Sequence, residues 1–149
     1  MPGARPPRPH VAPGTASEVT PGVFVGGWGD ATQFSGTKVC VREEPPEGLS
    51  NVTHVPIYDE TRKEPIRENL DRVADLIEQA RANDQLVIVY CGHGVRRGPL
   101  AAAWYLHRYE GLTLEEAFAR IAAVRPGIEP VTKWARHWQS LDETDRDSV

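Results

Sequence analysis

The sequence predicts an α/β domain: a central, mostly parallel sheet flanked by helices. Three observations carry that expectation. Short runs of β-branched and aliphatic residues alternate with longer segments whose apolar residues recur at helical spacing, the pattern of strands interleaved with helices. The most apolar run, residues 86–90 (Leu-Val-Ile-Val-Tyr), shows no polar alternation, as expected of a strand covered on both faces. The length of 149 residues suits one domain able to bury its own core.

Taken in order, residues 1–17 carry Arg5 and Arg8 and are broken by Pro2, Pro6, Pro7, Pro9 and Pro13. Such a segment lacks the apolar stretch of a secretory signal and is expected to be a disordered tail. Residues 18–143 are then the domain, and residues 144–149 a frayed acidic end. Val23, Phe24 and Val25 before Gly26-Gly27 read as a strand and turn, residues 30–34 as a short helix, and residues 37–41 as a second strand. Pro45-Pro46 makes a loop of residues 43–48. Residues 52–57 read as a third strand that Pro56 either ends or confines to an edge.

Ile66, Leu70, Val73, Ile77 and Ala80 share one face of a helix reaching about residue 82, after which residues 86–90 form the buried strand. A second helix is expected just past Arg97 and ends near Gly111, a residue suited to a left-handed cap. Thr113 with Glu116 forms a capping box for a third helix, with Leu114, Ala117, Phe118, Ile121 and Val124 as its buried stripe. Arg125-Pro126-Gly127 ends that helix. A last one follows Pro130, with Val131, Trp134, Ala135, Trp138 and Leu141 on one face.

Composition excludes several classes. A hydrophobic share of 40% and a charged share of 26% are ordinary for a folded domain, and no run approaches the length of a membrane-spanning helix. The formal net charge of −4 argues against nucleic acid as the main partner. Two cysteines, Cys40 and Cys91, build neither a disulfide framework nor a four-cysteine zinc site, which fits a reduced, cytoplasmic compartment. His54, His107 and His137 form no metal-ligand spacing, and neither a metal nor a cofactor is expected.

The chemistry concentrates in residues 87–99. Cys91 follows the buried strand directly, Gly92, His93, Gly94, Val95 and Arg96 make a short loop, and Arg97 stands at the mouth of the next helix. Loop amides and a helix N-terminus together make a concave positive field that suits an oxyanion such as phosphate. The same field favours the thiolate of Cys91, which makes it a nucleophile. Arg97 can grip two phosphate oxygens with its planar fork, and Pro99 is tolerated in a first helical turn.

Cys91 to Arg97 resembles the C-x5-R signature of cysteine-dependent protein tyrosine phosphatases, including the dual-specificity group, and Gly94 falls where that family's loop glycine falls. Asp59, in Val55-Pro56-Ile57-Tyr58-Asp59-Glu60, lies 32 residues before Cys91. That is similar to the spacing of the general acid in dual-specificity members. The helix ahead of the motif strand and the segments 112–117 and 124–126 follow the same order, so the likeness covers roughly residues 18–143.

The resemblance implies a dual-specificity-phosphatase-like fold and metal-independent hydrolysis of phosphate monoesters through a phosphocysteine. Cys91 is then the nucleophile, Arg97 and the loop residues 92–96 bind phosphate, and Asp59 acts as acid and then base. The small chain implies a shallow pocket open to phosphotyrosine, phosphoserine and phosphothreonine proteins, or to a small polyanionic phosphate that the basic His93 and Arg96 would suit. A monomer is expected.

Two positions depart from the family. Tyr90 replaces the usual histidine before the cysteine, and Gly98 replaces the serine or threonine whose hydroxyl assists phosphoenzyme breakdown, so slow turnover is expected. Two other readings stay open: a rhodanese-type sulfurtransferase carrying a persulfide on Cys91 and using Arg96, and a phosphate-recognition module of low turnover. Glu60 or Glu64 could replace Asp59 as the acid, with Asp59 capping a turn. Cys40 reads as a core residue, with a regulatory disulfide to Cys91 as the sharper alternative. Trp28 is the aromatic best placed for an exposed recognition surface, while Trp104, Trp134 and Trp138 read as core.

Overall fold

A computed structural model describes residues 15–46, 48–92 and 96–130. Its five-stranded sheet has the order β1 (Ser17–Thr20), β2 (Val23–Gly26), β7 (Val87–Tyr90), β3 (Thr37–Cys40), β4 (Val52–His54). The pairings β2–β7, β7–β3 and β3–β4 are parallel, and β1 joins β2 antiparallel. Helices α2 (Arg67–Ala82), α3 (Arg97–Glu110) and α4 (Leu114–Val124) carry the larger core cluster, and the short α1 (Trp28–Gln33) supplies Ala31 to a smaller one. The expected α/β architecture with a mostly parallel sheet is what the chain forms.

The placement of β7 at the centre of the sheet explains its unbroken apolar run. Val87 and Val89 enter the larger cluster, whereas Ile88 and Tyr90 enter the smaller one beside Ala31 and Cys40. Successive strand residues face opposite ways, so a strand covered on both sides needs apolar residues throughout. The helix stripes read from sequence are buried at Leu70, Val73, Ile77 and Ala80 on α2 and at Leu114, Ala117, Phe118 and Ile121 on α4, whereas Ile66 stands just before α2 and, like Val124, is half-buried. Gly111 ends α3 in the left-handed conformation at φ 74°, and Thr113 with Glu116 forms the capping box that starts α4.

Several boundaries differ from expectation, among them the short helix expected at residues 30–34, which runs Trp28–Gln33, and the second strand, which stops at Cys40. Ser17, assigned to the tail, is the first residue of β1 and is buried, and the Arg125 guanidinium binds its hydroxyl and the Thr15 carbonyl. The third strand stops at His54 rather than running to residue 57. It lies at the sheet edge as Pro56 required, and the Pro56 carbonyl accepts a hydrogen bond from Asn69 Nδ2 instead of a ladder partner. Beyond it a small antiparallel hairpin, β5 (Tyr58–Asp59) and β6 (Glu64–Pro65), precedes α2. The helix expected after Pro130 and the end at 144–149 lie outside the described residues, as do residues 1–14.

Candidate active site

The site forms where β7 ends and α3 begins. Cys91 follows the last strand residue and its amide donates to the Gly26 carbonyl at 3.4 Å, while the Trp28 amide donates to the Gly92 carbonyl at 3.1 Å. The start of the loop is thus held by the β2–α1 turn. That turn needs Gly26, because a Cβ there would sit 2.8 Å from Asp30 Oδ2, the oxygen that accepts from the Gly27 amide and caps α1. Residues His93, Gly94 and Val95 lie outside the described residues.

Cys91, Gly92, Arg96 and Arg97 line one open cavity of about 420 Å³, together with Arg42, Glu44 and Glu129. Cys91 is only 6% exposed, with its side chain against the larger core. The N-terminus of α3 carries no side-chain cap, so the amides of its first turn are not taken by a capping side chain. A buried thiol, an uncapped helix start and three guanidinium groups around one cavity make a place for a tetrahedral anion.

Each of those arginines has a carboxylate partner. Arg97 Nη2 bonds Glu60 Oε1, Arg96 Nε bonds Glu129 Oε2 at 2.8 Å, and Arg42 Nε stands 3.5 Å from Glu44 Oε2. A backbone hydrogen bond, opposed by burial and supported by the charges of Arg42 and Arg97, holds the Glu44 carboxyl below the usual carboxylate range. The Arg97 guanidinium also lies over the Tyr58 ring, 5.4 Å from its centroid.

Asp59 occupies the β5–β6 hairpin and does not line the cavity. Its Oδ1 accepts from the amides of Thr61 at 2.9 Å and Arg62 at 3.0 Å, and its carbonyl accepts from Lys63. Its chain neighbours on either side, Tyr58 and Glu60, are the residues that reach Arg97. Glu64 sits opposite Asp59 in the hairpin register and is exposed.

Gly98 is buried in the first turn of α3. A Cβ at this position would meet Val25 Cγ1 and the Val89 carbonyl at 3.5 Å and Cys91 Sγ at 3.7 Å, all ordinary contact distances. Tyr90 turns away from Cys91 into the smaller cluster. Its hydroxyl has no nitrogen or oxygen partner among the described residues, and burial, then the neighbouring Cys40 thiol, push its phenol far above the ordinary value. Cys40 shares that cluster and Cys91 the other, on the opposite face of the sheet. The alternative of a Cys40–Cys91 disulfide therefore has the sheet between its partners.

The structure lines one cavity with Cys91, Gly92, Arg96 and Arg97, which the sequence grouped, and with Arg42, Glu44 and Glu129, which it did not single out. These come from the loop after β3 and the chain after α4, and reach the cavity only through tertiary packing. Tyr58 was missed too.

Comparison with known proteins gives the family. The model for "Dual specificity phosphatase, catalytic domain" matches residues 35–146. Mouse dual specificity phosphatase 28 is 27% identical over 145 residues, covering 91% of this chain and 88% of that protein. Rat dual specificity protein phosphatase 12 is 30% identical over 132 residues, 79% of this chain and 38% of the relative. A solved mouse putative dual specificity phosphatase complexed with zinc tungstate superposes with a TM-score of 0.75 at 24% identity, covering 95% of this chain and 94% of the other. These matches favour phosphatase chemistry over sulfur transfer, and on a family model spanning well over half its length this chain belongs to the dual specificity phosphatases.

Proposed function

We propose that this phosphatase hydrolyses phosphate monoesters of phosphotyrosine, phosphoserine or phosphothreonine proteins, or of a small polyanionic phosphate, through a phosphocysteine. Cys91 Sγ attacks phosphorus as the thiolate, the ester P–O bond breaks, and Asp59 gives its proton to the leaving oxygen. Arg97, the loop amides of residues 92–96 and the α3 N-terminus balance the charge on the equatorial oxygens. Water then attacks the phosphocysteine, Asp59 takes its proton, the S–P bond breaks, and inorganic phosphate leaves.

The observation that carries this reading is that Cys91 and Arg97 line one cavity at the uncapped start of α3. The two amide bonds to Asp59 Oδ1 suit its role, since they fix the carboxylate and leave Oδ2 to carry the proton. Glu60 is committed to Arg97 and Glu64 faces outward, so Asp59 is the better acid of the three. Free cysteines and substrates of this kind fit the cytoplasm.

A second reading, phosphate recognition with little turnover, draws on Gly98, which puts no hydroxyl beside Sγ. Rapid-mixing hydrolysis of an aryl phosphate in chelator, by the wild type and Cys91→Ser, tests both. Release that falls by about three orders of magnitude or more in Cys91→Ser supports the proposed chemistry. A burst near one equivalent before a slow steady rate places the bottleneck at phosphoenzyme breakdown. Release unchanged by Cys91→Ser would refute a phosphocysteine, and no release at all would favour recognition.

A further inference from the structure

Arg97 is held from outside the cavity by the hairpin that carries Asp59. Its Nη2 bonds Glu60 Oε1, its guanidinium lies 5.4 Å from the Tyr58 ring centroid, and neither Glu60 nor Tyr58 lines the cavity that Arg97 shares with Cys91. We propose that Tyr58 and Glu60 are positioning residues for Arg97, a clamp that fixes one edge and one face of the guanidinium so that another edge is presented to a phosphoryl group on Cys91. This inference rests on the phosphatase reading of the cavity and adds two residues to its working parts.

The physical case is one of degrees of freedom. Arginine loses much rotamer entropy when it grips an anion, and a planar group already anchored at an edge and a face loses less on binding. Tyr58 on β5 and Glu60, the first residue of the hairpin turn, flank Asp59, and both reach the same guanidinium. Asp59, between them, turns to the amides of Thr61 and Arg62. The clamp therefore also ties the acid's hairpin to the phosphate site through Arg97. Lys63 Nζ, 4.0 Å from Glu60 Oε2, supports the carboxylate from its exposed side.

The opposite reading of the same ion pair is competition, in which Glu60 withholds Arg97 from substrate. The two differ in sign. A clamp loses anion affinity when Glu60 is truncated, and keeps it when a neutral oxygen acceptor remains; a competitor gains affinity in both variants.

Inorganic phosphate is the probe, and its protection of Cys91 against iodoacetamide, followed by peptide mass, reports affinity without turnover. In Glu60→Ala and in Tyr58→Leu the phosphate Kd should rise by about fivefold to tenfold, the scale of one lost charge-assisted contact. Each variant's Kd is read against its own rate of alkylation without phosphate. Glu60→Gln, which still accepts from Nη2, and Tyr58→Phe, which keeps the ring face, should stay within about twofold of wild type. Tighter binding in Glu60→Ala, or equal affinity in Glu60→Ala, Glu60→Gln and wild type, overturns the clamp while leaving the phosphatase reading intact. A wild type whose Cys91 phosphate does not protect at any concentration removes the anion cradle, and with it both proposals.

Discussion

Gly98 leaves room for a Cβ beside the Cys91 sulfur. A Cβ there would stand 3.7 Å from Cys91 Sγ with its other neighbours at 3.5 Å, ordinary contacts that accommodate the Cβ of Gly98→Ser. A serine hydroxyl one bond further can donate to the sulfur as the S–P bond breaks, stabilising the departing thiolate. Gly98→Ser should raise steady-state kcat on an aryl phosphate by about tenfold, on the scale of one hydrogen bond to a developing charge, and shrink the burst. Gly98→Ala supplies the same Cβ without the hydroxyl and should leave kcat near wild type; an equal gain in both variants would trace the effect to helix rigidity instead. Cys91, Arg97 and this missing donor were legible in the sequence because they lie within one short motif. Glu60 was weighed there as a spare acid, and its actual partner, Arg97, stands 37 positions on, beyond any local pattern.

The elements that sequence revealed best are those whose burial is periodic. α2 and α4 show their core stripes, α3 its left-handed cap and α4 its capping box, and β7 shows its central place by lacking alternation. The β5–β6 hairpin was not legible: two-residue strands have no periodicity, and the positive φ of 59° in its turn falls on Lys63, a residue that signals nothing. Also hidden was the polar seam joining the helices to the sheet edge. Glu110, at the end of α3, accepts from Thr20 Oγ1 on β1 at 2.8 Å, from Arg120 on α4 at 2.8 Å and from Arg81 on α2 at 3.2 Å. Burial pushes its carboxyl up, yet the bonds from Thr20, Arg120 and Arg81 outweigh that and hold it below the usual carboxylate range. A folded-state value below the unfolded one adds stability above the unfolded value, and that stability is lost as pH falls through the folded one. Thermal melts should therefore place Glu110→Gln about 3 °C below wild type at pH 7, a difference of about 1 kcal/mol, with the two curves converging on acidification. A constant gap from neutral to acid pH would show that the seam contributes shape rather than charge.

At the scale of the whole molecule, Arg125 gathers pieces that are far apart in sequence. It ends α4, yet Nη1 bonds the carbonyl of Thr15 at 2.7 Å, Ser17 Oγ at 3.1 Å and the Val25 carbonyl at 3.4 Å, while Nη2 lies 3.7 Å from Asp30 Oδ2. The sequence offered it only as the residue before a helix-ending Pro-Gly, since nothing local marks a cation that folds back onto the first strands. Asp30 is the counter-charge, with a side chain 2% exposed and an Oδ1 that has no hydrogen-bond partner among the described residues. Its Oδ2 caps the Gly27 amide, in the turn from which the Cys91 loop hangs, so the pair links global stability to the active site. Arg125→Met removes the charge but keeps much of the side-chain volume, leaving the buried carboxylate without its cation. Breaking such a pair costs about 3–5 kcal/mol, so the melting temperature should fall by about 10 °C. Asp30→Asn in the same chain replaces that carboxylate with a neutral amide whose oxygen still caps Gly27. The double variant should recover part of the loss, a coupling that melts of the four proteins would measure directly. If Arg125→Met melts with wild type, or Asp30→Asn adds its own full cost on top, the two residues act independently, and the turn that holds the Cys91 loop is fixed by its backbone bonds alone.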